Sequence, residues 1–467
     1  MVSKLRLRYA LFALLLAGVG LLVFSAVAAA APPGRVVYNP IVADVISEVT
    51  TPTLVYELEG LTGERPVSVA GISYTIATRN VLQAEAISIA TRYAYEWFAA
   101  TGLDVSYQTY SWGDYEGRNV VAEKTGLIDP DAIYLITAHL DDMPTGPRAP
   151  GADDNASGSV AVMLAARLLA ERHLAYTVRF VLFTGEEYGL LGSDAYAADC
   201  AARGEDIQGV LNLDMMGYNT GEPEYEIFAL SGDSAVGEGS RRLAGLFVDV
   251  VLLYDLDLVS HKIVIEDYPL VGGSDQWSFL MRDYPAILVS EGFESGDFNP
   301  HYHTADDTLS AMDLDYCADI VRASLATLAH LAHILPDGGV GQLSGTVYYS
   351  PAARPVSHST VIAFWPAYHY TFTTMTDTDG AYAMSLPTGE YALTVKSASS
   401  TYSTTVTGVV VPSGGAVVRD VVLRSASEPV PGPEKPFVLS VDFVFDLIRP
   451  ARVFVLLIYG LQRLVFG

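Results

Sequence analysis

The first 335 residues alternate between two spacings of apolar positions. Val42, Val45, Ile46 and Val49 recur at helical intervals before Thr51-Pro52, and Leu54 to Leu61 continue them, so 40–62 reads as helix. Ala84, Ile87, Ala90, Tyr93 and Trp97 make the apolar stripe of a second amphipathic helix over 81–101. Segments 105–112 and 119–124 carry strand patterns, and 132–138 is a continuous apolar run suited to a buried strand. A helix over 159–173, short apolar β-rich runs at 178–184 and 210–213, a helix over 274–281, a strand at 286–291 and a closing helix over 314–335 follow. Strands alternating with helices predict an α/β fold.

The texture changes after Pro336-Asp-Gly-Gly-Val-Gly341, a stretch with the composition of a linker. Residues 343–424 are short alternating runs rich in Thr, Val and Tyr, broken by turn signals such as Asp379-Gly380 and Pro387-Thr-Gly389. This is the pattern of a small all-β sandwich. Residues 425–436 form a Pro-rich linker, and 437–467 are strongly apolar but interrupted by Asp442, Asp446, Arg449, Arg452 and Arg463. No uncharged run there reaches the ~18 residues of a spanning helix. The unbroken apolar run 453–459, flanked by arginines that can snorkel, suggests a membrane-surface or self-associating segment; packing back on the sandwich is the alternative.

At the other end, Lys4, Arg6 and Arg8 precede an apolar run that finishes in alanines before Pro32-Pro33-Gly34. That order predicts a secretory signal peptide over 1–31 and a secreted or cell-surface protein, with an uncleaved anchor as the rival. The net charge of −27 argues against a nucleic-acid partner, because phosphate binding needs Lys and Arg. Cys200 and Cys317 fit either one disulfide or two buried thiols.

Chemistry concentrates where apolar runs end. Residues 134–138 lead into His139, 178–184 into Glu186 and Glu187, and 210–213 into Asp214. Ligands of open α/β sheets gather at the carboxyl ends of strands, so three such strands side by side would aim these groups at one point. Asp154, in the loop GADDNASG at 151–158, and His303, in NPHYHT at 299–304, would be brought in by the fold. Histidines with carboxylates and no cysteine suit Zn²⁺, whereas Ca²⁺ and Mg²⁺ favour oxygen alone. Two His and three or more carboxylates exceed one catalytic zinc but suffice for two metals about 3.5–4 Å apart that share a carboxylate. Of the adjacent acids, one can ligate while the other takes a proton from water. Taken singly, each acid is also readable as a helix cap or a surface charge.

Taken in order, the pieces His139-Leu-Asp141, GADDNASG, Gly185-Glu186-Glu187, Asn212-Leu-Asp214 and Tyr302-His303-Thr304 closely resemble the metallopeptidases of family M28, the co-catalytic dizinc aminopeptidases. The resemblance runs from about residue 46 to about 335. It implies a peptidase domain over 36–336 with a mostly parallel central sheet flanked by helices, and two Zn²⁺ as cofactors. His139, Asp154 and Asp214 would hold one ion, and Asp154, Glu187 and His303 the other. Glu186 would be the general base, Asp141 would orient His139 through its second ring nitrogen, and Tyr302 would hydrogen-bond the developing oxyanion. Asp153 and Asp307 would support the ligands from behind. Residues 378–391 resemble the turns of carboxypeptidase-regulatory-like modules, small sandwiches that bind surfaces or serve as stabilising appendages.

The implied function is an exported exopeptidase, chiefly an aminopeptidase removing N-terminal residues from peptide substrates. The alternatives are an M28-type carboxypeptidase acting on C-terminal residues and a non-catalytic binding relative. No Gly-x-Ser-x-Gly or His-Glu-x-x-His occurs, which disfavours a serine hydrolase and the commonest other zinc proteases. Met215, Phe293 and Phe298 are candidates for an apolar side-chain pocket, though aromatics near a sheet are also ordinary core. His301 reads as loop surface, and His330 and His333 as core or capping residues.

Overall fold

A computed structural model describes residues 36–113, 115–265, 273–293, 295–350 and 354–425. The expected signal peptide at 1–31 and the apolar tail at 437–467 lie outside the described residues. The described residues open with two helices, α1 (Pro40–Ser47) and α2 (Thr51–Leu61), where a single one over 40–62 was expected. The break falls at Thr50, whose hydroxyl accepts from the Thr53 amide and caps α2, with Pro52 just inside its first turn. Helix α3 (Ala84–Ala99) and the hairpin β1 (Asp104–Trp112)–β2 (Tyr115–Lys124) follow.

Next come β3 (Asp129–His139), α4 (Gly158–Ala170), β4 (Tyr176–Phe183), α5 (Leu191–Arg203) and β5 (Asp206–Leu213). The remainder is β6 (Glu224–Leu230), α6 (Ala235–Leu253), β7 (Val259–Ile265), α7 (Gln276–Leu280), β8 (Ala286–Ser290) and α8 (Leu314–Leu331). The eight strands form one sheet in the order β7-β6-β8-β5-β3-β4-β2-β1. Its middle, β8-β5-β3-β4, is parallel, and the sheet turns antiparallel at β6 on one flank and at β2 and β1 on the other. The sheet is therefore mixed around a parallel centre.

Both faces of that centre are covered. Ile136, Phe180, Leu182 and Leu211 pack with the helices on one side, while Leu135, Val181, Phe183 and Val210 pack with Tyr196, Cys200 and Phe279 on the other. Burial on both faces is why these strands read as unbroken apolar runs. The expected helix over 274–281 shortens to five residues, and helix α8 stops at Leu331, so that Ile334-Leu335 can pair with His173-Leu174. Cys200 and Cys317 are both buried free thiols.

Beyond Leu335 the chain forms a strand-rich domain. Strand β9 (Val340–Tyr349) pairs along its length with Ala381–Pro387, and antiparallel pairing links Thr360–Trp365, Tyr370–Met375, Gly389–Lys396 and Tyr402–Val411. Its core of Leu343, Val361, Trp365, Phe372, Tyr391, Leu393 and Leu423 takes in Ala175 and Leu335 from the preceding domain. His333 stacks on Tyr370 with ring centroids 4.1 Å apart, and Asn39 Nδ2 donates to Tyr370 Oη at 2.9 Å. Ile128 and Tyr176, at the amino ends of β3 and β4, also pack against this core. The second domain thus sits at the amino ends of the central strands, opposite the ends that carry His139, Glu186 and Glu187. Eight residues of β4 at ~3.3 Å each put about 26 Å between them.

Candidate active site

The three central strands end together. His139 closes β3, the backbone turns at Gly185 (φ +77°) two residues past β4 and delivers Glu186 and Glu187, and Asp214 follows β5. Asp154 comes from the loop ahead of α4, and His303, in left-handed backbone (φ +56°), from the loop after β8. His139 Nε2 lies 3.2 Å from Asp154 Oδ1 and 3.2 Å from Asp214 Oδ1. His303 Nε2 lies 3.2 Å from Asp154 Oδ2 and 2.8 Å from Glu187 Oε2. The two carboxylate oxygens of Asp154 therefore face different histidines. One ligand atom each from His139, Asp154 and Asp214 lies within 4.8 Å of the others, and the same holds for Asp154, Glu187 and His303.

This donor set fits a pair of cations. Glu187 Oε1 is buried and has no hydrogen-bond partner, an acceptor that a cation would satisfy. Burial and the neighbouring Asp154 push the Glu187 carboxyl up to about 8. Burial would push His303 down, but its hydrogen bonds to Asp154 and Glu187 raise it to about 10. Burial likewise opposes ionisation of Asp154, yet hydrogen bonds from His139 and His303 hold it near about 2. Protons on the rings thus balance clustered carboxylates, a task that dications with imidazole and carboxylate ligands would take over.

Glu186 stands in neither ligand group. Burial raises its carboxyl well above the ordinary range, with the His139 charge working against that. The Asp141 carboxylate accepts from the backbone amides of Glu186 and Glu187, each at 3.3 Å. Its division of labour differs from the sequence expectation. His139 Nδ1 faces the Asp141 carbonyl oxygen at 3.1 Å, whereas the carboxylate is 3.8 Å away.

Asp153 and Asp307 lie behind the Asp154 loop. Asp307 accepts from the amides of Asp153 and Asp154, tying the His303 loop to the Asp154 loop. Asp153 accepts from Gly217 N at 2.7 Å and Asn299 Nδ2 at 2.9 Å. Asn155-Ala-Ser157 has the form of a glycosylation sequon, but Asn155 is buried with Nδ2 donating to Leu213 O, so it is inaccessible. Tyr302 is 40% exposed and stacks on the His303 ring at 3.6 Å. Phe298 and Phe293 extend this stack edge to face, whereas Met215 is buried. His301 lies partly exposed in its loop, and His330 and His333 sit near the domain junction.

Two supporting residues escaped the sequence reading. Ser274 Oγ donates to Asp214 Oδ2 at 2.6 Å and accepts from Asn212 Nδ2, whose own Oδ1 accepts from Thr137. Asp275 beside it is fully buried, with both oxygens lacking a hydrogen-bond partner, and burial pushes it to about 7. A Ser-Asp pair ahead of an apolar run looks like the start of a helix, and that local explanation hid the long-range one.

Two stretches of the chain match known protein families. The sequence model of peptidase family M28 matches residues 119–328, and that of the carboxypeptidase regulatory-like domain matches 342–424. A probable leucine aminopeptidase of Trichophyton verrucosum is 30% identical over 237 residues, covering 46% of this chain and 58% of the relative. A probable zinc metalloprotease of Pyrenophora tritici-repentis is 32% identical over 248 residues, covering 46% and 51%. The chain thus spans little more than half the length of these curated relatives. The LapA aminopeptidase of Legionella pneumophila shares the fold with a TM-score of 0.52 at 20% identity, over 66% of this chain and 78% of that one. Residues 119–328 thus carry a peptidase family M28 domain and residues 342–424 a carboxypeptidase regulatory-like domain.

Proposed function

We propose that this protein is an exported, zinc-dependent aminopeptidase that hydrolyses the N-terminal residue from peptides. The observation that carries the reading is the pair of ligand groups sharing Asp154, with Glu186 beside them and outside both. His139 and Asp214 would hold one zinc, Glu187 and His303 the other, and Asp154 both. Zinc bound there would polarise the scissile carbonyl and make water more acidic.

The chain's own residues supply the rest. The Glu186 carboxylate takes a proton from the attacking water and hands it to the leaving amine nitrogen. Asp141, by holding the amides of Glu186 and Glu187, fixes the base relative to the ligand next to it. The Tyr302 hydroxyl donates to the carbonyl oxygen as negative charge gathers on it. Phe298 and Phe293 stack edge to face behind Tyr302 and hold its ring in place beside His303.

Metal analysis of the purified chain should find close to two zinc ions. A panel of aminoacyl and C-terminally blocked or free peptides should show release from the amine end. Release from the carboxyl end alone would replace the aminopeptidase reading with a carboxypeptidase, and a fully active metal-free protein would refute both. Export rests on the basic, apolar and small-residue order of 1–31, and fractionation of the producing cell tests it. The apolar tail is proposed as a surface-attachment or self-association segment. Deleting residues after 425 should then abolish liposome flotation or self-association while leaving activity intact. A full-length chain that is already a lipid-free monomer would overturn that.

A further inference from the structure

The loop 140–151 joins two of the proposed zinc ligands, starting just after His139 and ending three residues before Asp154. It contains no regular element, yet its residues Leu140, Asp141, Asp142, Ala149, Pro150 and Gly151 are buried. What holds it is a separate, equally irregular segment, residues 77–83, between α2 and α3. Arg79 is fully buried, its guanidinium donates to four backbone carbonyls, and its Nη1 lies 3.6 Å from the buried Asp142 Oδ2. Nε donates to Leu140 O at 2.7 Å, Nη1 to Pro150 O at 2.8 Å and to Leu61 O at 2.7 Å, and Nη2 to Gly151 O at 3.0 Å.

One side chain therefore grips the residue after the first ligand and two residues ahead of the Asp154 turn. It is anchored in turn at the C-terminus of α2, where a cation meets the negative end of the helix. Its neighbours add to the grip. The Arg79 amide donates to Asp142 Oδ2 at 2.8 Å, and Asn80 Nδ2 donates to Asp142 O at 2.9 Å. Gln83 Nε2 donates to Gly146 O at 2.8 Å, and Ala149 N to Ala77 O at 3.0 Å. Asn80 Nδ2 also lies 3.4 Å from the Tyr188 hydroxyl, which follows directly on Glu186 and Glu187. A Cβ on Gly151 would come within 2.8 Å of Arg79 Nη2 and 2.5 Å of Asp154 O, so loop and clamp are packed against each other.

We infer that residues 77–83 are a clamp that sets the zinc site, with Arg79 as a positioning residue acting on His139 and Asp154 through the loop between them. The family match begins only at residue 119, so the clamp lies outside the part of the chain that the match covers. A buried guanidinium with several fixed donors can hold four carbonyls in one geometry, which an ammonium cannot. With it removed, Leu140, Pro150 and Gly151 keep buried carbonyls without that donor, and the loop must shift to satisfy them. Loss of such outer partners commonly costs 10–100-fold in metal affinity.

This inference rests on the zinc reading above, so its test has one arm that needs no metal. In the metal-free full-length chain, Arg79→Lys and Asn80→Ala should speed amide hydrogen exchange in 140–151 by tenfold or more, with the rest of the sheet unchanged. In the metal arm, Arg79→Lys and Arg79→Met should weaken zinc binding about 10–100-fold in chelator competition. Excess Zn²⁺ should restore the activity of Arg79→Lys. A variant that loses thermal stability but binds zinc with parental affinity would make Arg79 a plain packing residue and overturn the clamp. So would unchanged exchange in 140–151. If Arg79→Met does not fold, the Arg79→Lys and Asn80→Ala measurements decide alone. If the parent itself binds no zinc, the functional reading fails while the exchange arm still judges the clamp.

Discussion

Replacing Glu186 with Gln changes one carboxylate oxygen to an amide and leaves shape and backbone intact. Glu186 belongs to neither ligand group, and the bonds that place it run through its amide to Asp141, so the substitution breaks neither. Zinc content should therefore stay near that of the parent. The lost function is proton acceptance, which contributes about 10²–10⁴ in rate. At about 1.36 kcal/mol per tenfold, that is roughly 2.7–5.5 kcal/mol of transition-state stabilisation. The expected outcome is a kcat lower by at least a hundredfold at saturating aminoacyl substrate, with KM little changed. Glu187→Gln is the internal control. Glu187 faces His303 at 2.8 Å and has its second oxygen buried, so its neutralisation should first cost metal. Parallel metal analysis and kinetics on the two variants separate the roles. If Glu186→Gln loses zinc while Glu187→Gln keeps it, the two acids are reversed. If Glu186→Gln retains parental kcat, no general base acts at this position.

Further outcomes follow from the same geometry. Asp154→Ala should be the most damaging ligand change, because each of its oxygens faces a different histidine; metal analysis should show both ions lost rather than one. Ser274→Ala removes a hydrogen bond to the Asp214 carboxylate, worth roughly 1.5–3 kcal/mol for a charged acceptor, and chelator competition should show a matching fall of about tenfold to a hundredfold in zinc affinity. Burial pushes His330 down to about 4 and His333 to about 3, so both are neutral in the folded chain over a range where the unfolded chain binds protons. Their contribution is complete above pH ~6.5 and is lost as pH falls toward the folded values. His333→Phe keeps a ring against Tyr370, so its melting temperature should fall less than the parent's between pH 7 and 5. A constant difference between the two would refute the buried-neutral assignment.

What was legible in the sequence follows from where information sits along the chain. A sheet strand buried on both faces is mostly apolar, so an ionisable residue at or just beyond its carboxyl end stands out. His139, Glu186 and Asp214 announce themselves in that way. Residue type then supplies the chemistry, since imidazole and carboxylate together point to zinc without any geometry. The helix break at Thr50 is half visible, because Thr51-Pro52 marks it while the apolar spacing continues across it. The antiparallel flanks of the sheet were not visible, because strand direction is set by connections and leaves no mark in periodicity. Helix α6 carries Gly237, Gly239 and Gly245, which dilute its helical signal.

The clamp was illegible for a more basic reason. Arg79 bonds to carbonyls of residues 18, 61, 71 and 72 positions away, and a carbonyl acceptor is common to every residue in the chain. Nothing in the identity of Leu61, Leu140 or Pro150 advertises that an arginine will donate to it. The same holds for Asp141, whose acceptor role toward two amides is invisible while its proximity to His139 in sequence suggests a direct pairing. Side chains that meet side chains leave two matched letters in a sequence; side chains that meet backbone leave only one. The ligands of this site belong to the first kind, and the residues that hold those ligands in place belong largely to the second.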